Sequence, residues 1–268
     1  MRWNYKELDY DSINKEELKD KDFLFYLIAC ASFVEITSDV YEKNLEEFYS
    51  DEEDVKKWLK EVWEPEEIQH GVALREFVKR VWSDFDWDKA YDKFKKEYLP
   101  LCTIDEFQDS KAKEMLARMV VETGTSTLYK SISKLAKDEN IPLLEELASN
   151  ISKDEVYHYD QFYELFKKFN EKEKLGRDDI VKVIYDRLKM IDGEDAKIAF
   201  KAVFEEKNQR EFKEEDYEEY KKSLKVFIKK YYPYNMAIKM LLQPLNINKT
   251  LESAMVPIIK GALKVLGI

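Results

Sequence analysis

The sequence is poor in histidine, cysteine, glycine and proline. Its 268 residues include two histidines, two cysteines, six glycines and six prolines. Glycine and proline interrupt helices more than other residues do, so their scarcity favours long helices. Cys30 and Cys102 match no metal or redox spacing, and a reduced, cytoplasmic protein is the simplest interpretation.

The chain also lacks an excess of basic residues and a long apolar run. Its net charge of −11 argues against nonspecific binding to nucleic acid and against docking on an anionic bilayer. The first residues are polar and do not resemble a signal peptide. The longest apolar run, from Phe23 to Val34, has about 12 residues, whereas a membrane-spanning helix needs ~20. We therefore expect a buried helix there and no membrane partner.

Helix-forming residues dominate what remains, and 38% of the chain is charged. No strand-like alternation or internal repeat is visible, so the sequence predicts an all-α protein with a single domain over residues 1–268. Thr103 and Glu106 have the spacing of a capping box, which predicts that a long helix begins beside them. Residues 170–179 are the best candidate for a linker. Helices are predicted over residues 22–47, 65–81, 87–98, 104–137, 142–169, 179–190, 194–205 and 214–232.

Both histidines occur in the same local setting. Glu67 precedes His70 by three residues, and Glu155 precedes His158 by three residues. On a helix, this spacing places the two side chains on one face with their β-carbons about 5–6 Å apart. One carboxylate and one imidazole can then reach the same ion.

Two further acids interrupt apolar helices. Glu35 and Glu122 have mostly apolar neighbours, and burying an unpaired carboxylate is costly unless a metal compensates it. The order along the chain matches a carboxylate-bridged dimetal site in a four-helix bundle. This donor set suits iron or manganese better than zinc. The alternative is two surface Glu–His pairs and two core acids that are satisfied by hydrogen bonds.

These segments resemble those of the soluble acyl-carrier-protein desaturases, over roughly residues 20–190. The Glu-x-x-His pairs are shared with the wider ferritin-like superfamily, whereas Trp63, Gly71, Thr125 and Asp154 are similar to the desaturase branch. Gln69, Val156 and Tyr157 depart from the family, which tends to have basic residues there.

The resemblance implies a ferritin-like four-helix bundle with a core over residues 22–169 and additional C-terminal helices over residues 179–268. It also implies two iron ions, with manganese or a mixed manganese and iron pair as alternatives. The expected partners are an acyl carrier protein or acyl thioester and a ferredoxin-like electron donor. A homodimer is left open. The implied metal ligands are Glu35, Glu67, His70, Glu122, Glu155 and His158.

Other residues near this pattern have two interpretations each. Thr125 could donate a hydrogen bond or a proton at the metal site, or it could bond back to its own helix. Asp154 could orient His70, or it could be a solvated acid. Trp63 is either a core residue or an electron relay. Apolar residues one or two turns from the ligands could line a channel for an alkyl chain or simply form the core: Ile28, Ala31, Leu74, Phe77, Met115, Met119 and Phe162.

The function that we expect is oxygen-dependent desaturation of a carrier-bound acyl chain. Lys221, Lys225 and Lys229 share one helix face and could dock an acidic carrier protein, although a solvated face is the simpler interpretation. Three other functions stay open. They are another dimetal oxidase (a hydroxylase, an N-oxygenase or an aldehyde-deformylating enzyme), an iron-storage or peroxide-scavenging bundle, and a helical interaction module without metal.

Overall fold

The computed structural model describes residues 1–104, 107–189 and 194–266. No strand occurs in these ranges, which confirms the all-α fold class. Short 3₁₀ turns lie at Tyr5–Glu7, Tyr10–Ser12, Leu99–Leu101 and Gln243–Leu245, and a π-helical segment lies at Leu59–Trp63. The α-helices are α1 (Lys15–Leu18), α2 (Asp22–Ile36), α3 (Ser38–Phe48), α4 (Glu53–Trp58), α5 (Glu64–Val81), α6 (Trp87–Tyr98), α7 (Lys111–Asp138), α8 (Pro142–Glu173), α9 (Arg177–Lys189), α10 (Glu194–Asn208), α11 (Glu214–Tyr231), α12 (Tyr234–Leu242) and α13 (Lys249–Leu266).

Contacts within the chain divide it into two compact units. The first unit comprises Met1–Glu106, Ile141–Leu147 and Asp192–Leu224. The second unit comprises Phe107–Asn140, Ala148–Ile191 and Lys225–Ile268. The single domain over residues 1–268 stays a prediction, as does its division into a bundle core and accessory helices.

In the first unit, α2 packs along α5, and α10 packs against both α2 and α6. Aromatic side chains fill the space between these helices because each helix buries one apolar face; Phe25, Phe33, Phe77, Phe94 and Phe200 are all almost completely buried. Polar contacts join the same helices. The indole of Trp87 donates a hydrogen bond of 2.9 Å to Ser32 Oγ.

Gly71 allows α5 to approach the end of α2 closely. A β-carbon at this position would lie 2.4 Å from the backbone nitrogen of Ile36. Any larger residue would force the two helices apart, because backbone atoms cannot give way as a flexible side chain can. The glycine therefore sets the distance between the last turn of α2 and the middle of α5.

In the second unit, α7 packs against α9 and α12, and α12 packs against α13. Glu173, at the end of α8, accepts hydrogen bonds from Ser110 Oγ and from the backbone nitrogen of Ala112 at the start of α7. Ser152 Oγ on α8 donates a hydrogen bond of 2.9 Å to the carbonyl of Ser126 on α7. These contacts hold the two long helices side by side.

The helix predicted over residues 22–47 is interrupted at Thr37, so the prediction of one continuous helix was wrong. The hydroxyl of Thr37 donates a hydrogen bond of 2.8 Å to the carbonyl of Phe33 and lies 2.9 Å from the hydroxyl of Tyr91. The backbone of Thr37 has φ −97° and ψ 7°, which is outside the helical region. One residue outside the helical region therefore separates α2 from α3.

The capping box was also placed wrongly. α7 begins at Lys111, and its cap is Ser110, whose side chain accepts a hydrogen bond from the backbone nitrogen of Lys113. Glu106 lies outside the described residues. The predicted linker over residues 170–179 is mostly helical, because α8 continues to Glu173 and α9 begins at Arg177. The predicted end of α9 at residue 190 also lies outside the described residues.

Within the described ranges, one stretch is long and apolar enough to cross a membrane by length and composition alone. It is Asp22–Phe48, with a mean hydropathy of 1.6 in its most apolar window. A core helix of a folded protein passes the same test, and Phe25, Ile28 and Phe33 in this stretch are fully buried. The expectation of no membrane partner stays a prediction.

Candidate metal centre

Three predicted ligands meet inside the first unit. Glu35 lies in the last turn of α2, and Glu67 and His70 lie one turn apart on α5. His70 Nδ1 is 3.6 Å from Glu67 Oε2 and 3.9 Å from Glu35 Oε2. The side chains are buried, with exposed fractions of 8%, 6% and 0% for Glu35, Glu67 and His70. We call these residues the first triad.

Two residues early in the sequence, Arg2 and Trp3, lie near the first triad. The ring of Trp3 lies parallel to that of His70, with 6.2 Å between the ring centroids and 7° between the planes. Arg2 donates a hydrogen bond of 3.1 Å to Glu66, the buried neighbour of Glu67. Reasoning from the sequence missed Trp3, because no local pattern connects residue 3 with residue 70.

Three other predicted ligands meet inside the second unit. Glu122 lies on α7, and Glu155 and His158 lie one turn apart on α8. His158 Nδ1 is 3.8 Å from Glu122 Oε2 and 4.0 Å from Glu155 Oε2. All three side chains are at least 98% buried. This second triad repeats the first in composition, in the choice of imidazole nitrogen and in spacing.

The predicted catalytic threonine contacts the second triad directly. Thr125 Oγ1 donates a hydrogen bond of 2.7 Å to Glu155 Oε2, and it lies 3.3 Å from the carbonyl of Glu122. The contact with the carboxylate is shorter and therefore stronger than the back-bond to the helix. The hydroxyl thus holds one oxygen of Glu155 in place.

The geometry of each triad suits a metal ion. A carboxylate oxygen and an imidazole nitrogen that each lie 2.0–2.2 Å from one ion can be at most ~4.4 Å apart. The distances of 3.6–4.0 Å between these atoms satisfy this limit, and they are too long for hydrogen bonds. Two buried carboxylates at close range repel each other, and a cation offsets that repulsion. The buried groups could therefore hold a metal ion.

The donor set limits which metals fit. Each triad offers two carboxylates and one imidazole but no thiolate, and such hard ligands suit iron and manganese. Both cysteines are placed elsewhere and remain free thiols, and Cys102 is buried in the first unit beside the carbonyl of Tyr98. The identity of the metal and the roles of the six ligands stay predictions.

The remaining site predictions concern residues that are mostly buried. Asp154 and Trp63 are 1% and 6% exposed. The pairing of Asp154 with His70 and the relay role of Trp63 stay predictions. The predicted channel residues are fully or almost fully buried except for Ala31, which is half-buried; the buried ones are Ile28, Leu74, Phe77, Met115, Met119 and Phe162. Their role in a channel also stays a prediction.

The predicted basic docking face lies on α11. Lys225 and Lys229 are exposed there, whereas Lys221 forms an ion pair of 2.7 Å with Glu218. Exposed lysines are typical of a solvated helix face, so this pattern does not single out a carrier protein. Carrier docking stays a prediction.

Comparisons of the chain with protein-family models, with curated proteins and with solved structures found no match in any of the three.

Proposed function

We propose that this protein is an oxygen-dependent di-iron oxidoreductase in which each of the two triads holds one metal ion. The observation that carries the proposal is the repeated geometry of the triads. In each, a buried Glu-x-x-His pair meets a glutamate from a preceding helix, with the same imidazole nitrogen 3.6–4.0 Å from two carboxylate oxygens. Two equivalent half-sites are what a dimetal centre in a helical bundle requires.

The six residues of the triads are proposed to be the metal ligands, three for each ion. Glu35, Glu67 and His70 hold one metal ion, and Glu122, Glu155 and His158 hold the other. The four carboxylates offset the charge of two divalent ions, so the loaded site is close to neutral. When bound, the iron pair would supply the reduction of dioxygen and the removal of hydrogen from an unactivated methylene.

The residues around the triads exclude bulk water from the ligands and fix the orientation of their side chains. His70 and His158 are fully buried, which excludes bulk water and strengthens the hydrogen bonds and charge interactions around them. Thr125 fixes the orientation of Glu155 through its hydrogen bond of 2.7 Å. The ring of Trp3 lies parallel to that of His70, with 6.2 Å between the ring centroids. These residues hold the ligands in one arrangement before the metal arrives.

The proposed substrate is an acyl chain attached to a carrier protein or to another thioester, and the proposed electron donor is ferredoxin-like. Both follow from the resemblance of the Glu67, Glu122 and Glu155 segments to those of the soluble acyl-carrier-protein desaturases. Ile28 and Leu74, which are buried on the helices of the first triad, are proposed to line the path of the alkyl chain. The site of action is proposed to be cytoplasmic.

The test combines metal loading with substrate oxidation. Metal-free protein is loaded anaerobically with ferrous iron, mixed with an acyl thioester and exposed to air, and the acyl product is measured by mass spectrometry. The proposal expects an acyl chain that has lost two hydrogens. Glu155→Gln should abolish this product. Glu61→Gln should not, because Glu61 is an exposed acid one turn before α5.

Different outcomes separate this proposal from its alternatives. A product that gains one oxygen atom would indicate a hydroxylase. Oxidation of ferrous iron without any change in the acyl chain would indicate storage or peroxide scavenging. An Ala31→Phe variant adds a further test, because the larger side chain should block long acyl chains while leaving the metal content unchanged. Overpacking of this kind costs ~1–3 kcal/mol of stability.

A further inference from the structure

A cavity of about 470 Å³ lies in the first unit and is lined mainly by residues of α2, α3, α5 and α6. Its volume is within the range of ~300–1,000 Å³ that is usual for small-molecule sites. Four aliphatic side chains form much of its wall: Ile36, Val40, Ile68 and Leu99. Ile36 and Ile68 directly follow Glu35 and Glu67 in the chain, so the wall shares its backbone with two members of the triad.

The two hydroxyl groups that line this cavity, those of Thr37 and Tyr91, already donate hydrogen bonds within the protein. Thr37 Oγ1 donates to the carbonyl of Phe33 at 2.8 Å, and it lies 2.9 Å from the hydroxyl of Tyr91. Since the proton of Thr37 is committed, the hydroxyl of Tyr91 must be the donor in the second contact. Neither group has a proton left for a ligand, whereas the oxygen of Tyr91 can still accept a hydrogen bond.

The lysine at the cavity is also engaged. Lys95 forms an ion pair of 3.0 Å with Asp92, and its ammonium group lies 4.6 Å from the centre of the Tyr91 ring. Asp39, which also lines the cavity, accepts a hydrogen bond of 3.3 Å from Lys43 Nζ. An anionic ligand would therefore meet no uncommitted cation in this part of the wall.

Among the polar side chains of the cavity wall, Glu64 is the one whose carboxylate is available to a ligand. Its side chain is half-buried and lines the cavity, and it forms no hydrogen bond or ion pair with the residues that the structure describes. Burial raises the pKa of Glu64, and repulsion by Asp39 raises it further, although Lys43 and Lys60 act in the opposite direction. A carboxylate in this setting is stabilised by a ligand that brings a positive charge and donates hydrogen bonds.

We propose that this cavity binds a primary aliphatic amine in its ammonium form. The ammonium group donates hydrogen bonds to the carboxylate of Glu64 and to the hydroxyl oxygen of Tyr91, and the alkyl part lies against Ile36, Val40 and Ile68. This binding site is separate from the metal ligands and does not depend on the function proposed for them.

A carboxylate or a metal ion fits this cavity less well. A carboxylate would be repelled by Glu64 and would meet hydroxyl groups whose protons are committed. A metal ion needs several ligand atoms close together, and Asp39 and Glu64 are the two acids in the wall, with Asp39 engaged by Lys43. An uncharged alcohol can donate one hydrogen bond but leaves the charge of Glu64 uncompensated.

The experiment titrates the metal-free full-length chain with three ligands that share one alkyl chain: hexylamine, hexan-1-ol and hexanoate. Binding is measured by isothermal titration calorimetry at moderate salt, because a net charge of −11 attracts cations nonspecifically. The variants are Glu64→Gln, Tyr91→Phe and the control Glu61→Gln, which removes an exposed acid from the preceding turn. Circular dichroism and thermal melting check that each variant is folded.

We expect wild type to bind hexylamine at least tenfold more tightly than hexan-1-ol or hexanoate, a difference of ~1.4 kcal/mol. Glu64→Gln should remove this preference, Tyr91→Phe should weaken hexylamine binding several-fold, and Glu61→Gln should bind as wild type does. Equal binding of hexanoate, no binding of hexylamine, or an unchanged preference in folded Glu64→Gln would each overturn the proposal. Because neither metal nor oxygen is present, these outcomes are independent of the test of the oxidoreductase.

Discussion

Thr125 on α7 donates a hydrogen bond of 2.7 Å to Oε2 of Glu155 on α8. The contact joins two helices that both carry members of the second triad. A carboxylate that binds a metal through one oxygen is better oriented when its other interactions are fixed, and neighbours of this kind typically contribute 10–100-fold to metal affinity. The threonine is therefore predicted to act on the metal site by positioning Glu155.

Replacing Thr125 with Val removes the hydroxyl and keeps the shape of the side chain. We expect the variant to bind the same number of metal ions as wild type, with an affinity that is lower by about tenfold. Competitive titration against a metal-binding dye measures this affinity. Thr125→Ser retains the donor and should restore most of it. If the valine and serine variants both bind metal as wild type does, the hydrogen bond has no positioning role.

Gly71 should tolerate no side chain. In Gly71→Ala the new β-carbon would lie 2.4 Å from the backbone nitrogen of Ile36, and the resulting shift should cost ~1–3 kcal/mol of stability. Gly124→Ala is the matched control, because a β-carbon there would meet no atom within 4 Å other than its chain neighbours and the nearby backbone of its own helix. That variant should gain up to ~1 kcal/mol from better helix propensity. Urea unfolding in the presence of a chelator measures both, and a stable Gly71→Ala protein would contradict the close packing of α2 and α5.

Trp3 should slow the loss of metal from the first triad. Its ring lies parallel to that of His70, with 6.2 Å between the centroids, so Trp3→Ala removes a large apolar side chain beside this imidazole and should let water approach it. We expect faster transfer of metal to a chelator in Trp3→Ala. Trp3→Phe should have a rate near that of wild type, because it keeps an aromatic ring beside His70. Stopped-flow mixing with an excess of chelator measures the rate. Equal rates in all three proteins would show that this aromatic ring has no effect on metal retention.

Glu42 should make the folded state less stable as the pH rises. This side chain on α3 is 3% exposed, and burial together with Glu46 and Glu64 raises its pKa from 4.5 to about 7. The folded protein therefore binds a proton that the unfolded chain has lost between these two values. The free energy of unfolding falls through this range by no more than a few kcal/mol, and the loss is nearly complete one pH unit above the raised pKa.

The Glu42→Gln variant provides the comparison for this pH effect. It keeps a neutral polar group at the position, so its free energy of unfolding should lack the loss that wild type suffers between about pH 5 and pH 8. Taking the difference between the two proteins cancels the titration of all other groups to first order. Urea unfolding at several pH values in chelator measures it. Parallel pH profiles for wild type and Glu42→Gln would refute the raised pKa.

Local patterns predicted the helices and the pairing of ligands within each helix. The α6 helix, Trp87–Tyr98, has the predicted bounds because Asp86 caps it and Pro100 follows it. Glu67 with His70, and Glu155 with His158, share helix faces because a spacing of three residues dictates it. These features depend on neighbours along the chain, which a sequence shows directly.

Features that depend on distant residues could not be predicted in the same way. The break at Thr37 involves Tyr91, the aromatic ring beside His70 comes from Trp3, and the cap of α7 is supported by Glu173. The π-helical segment Leu59–Trp63 also escaped prediction, because its composition is that of an ordinary helix. Only the folded chain brings these partners together.

The most direct test of the central claim is the number of iron ions that the protein retains after anaerobic loading and gel filtration. We expect two ions per chain for wild type and for the Glu61→Ala control. Removing either triad, with Glu67→Ala and His70→Ala or with Glu155→Ala and His158→Ala, should lower this number by at least one. A wild-type protein that retains no iron, or a variant that lacks one triad and still retains two ions, would contradict the assignment of a dimetal centre.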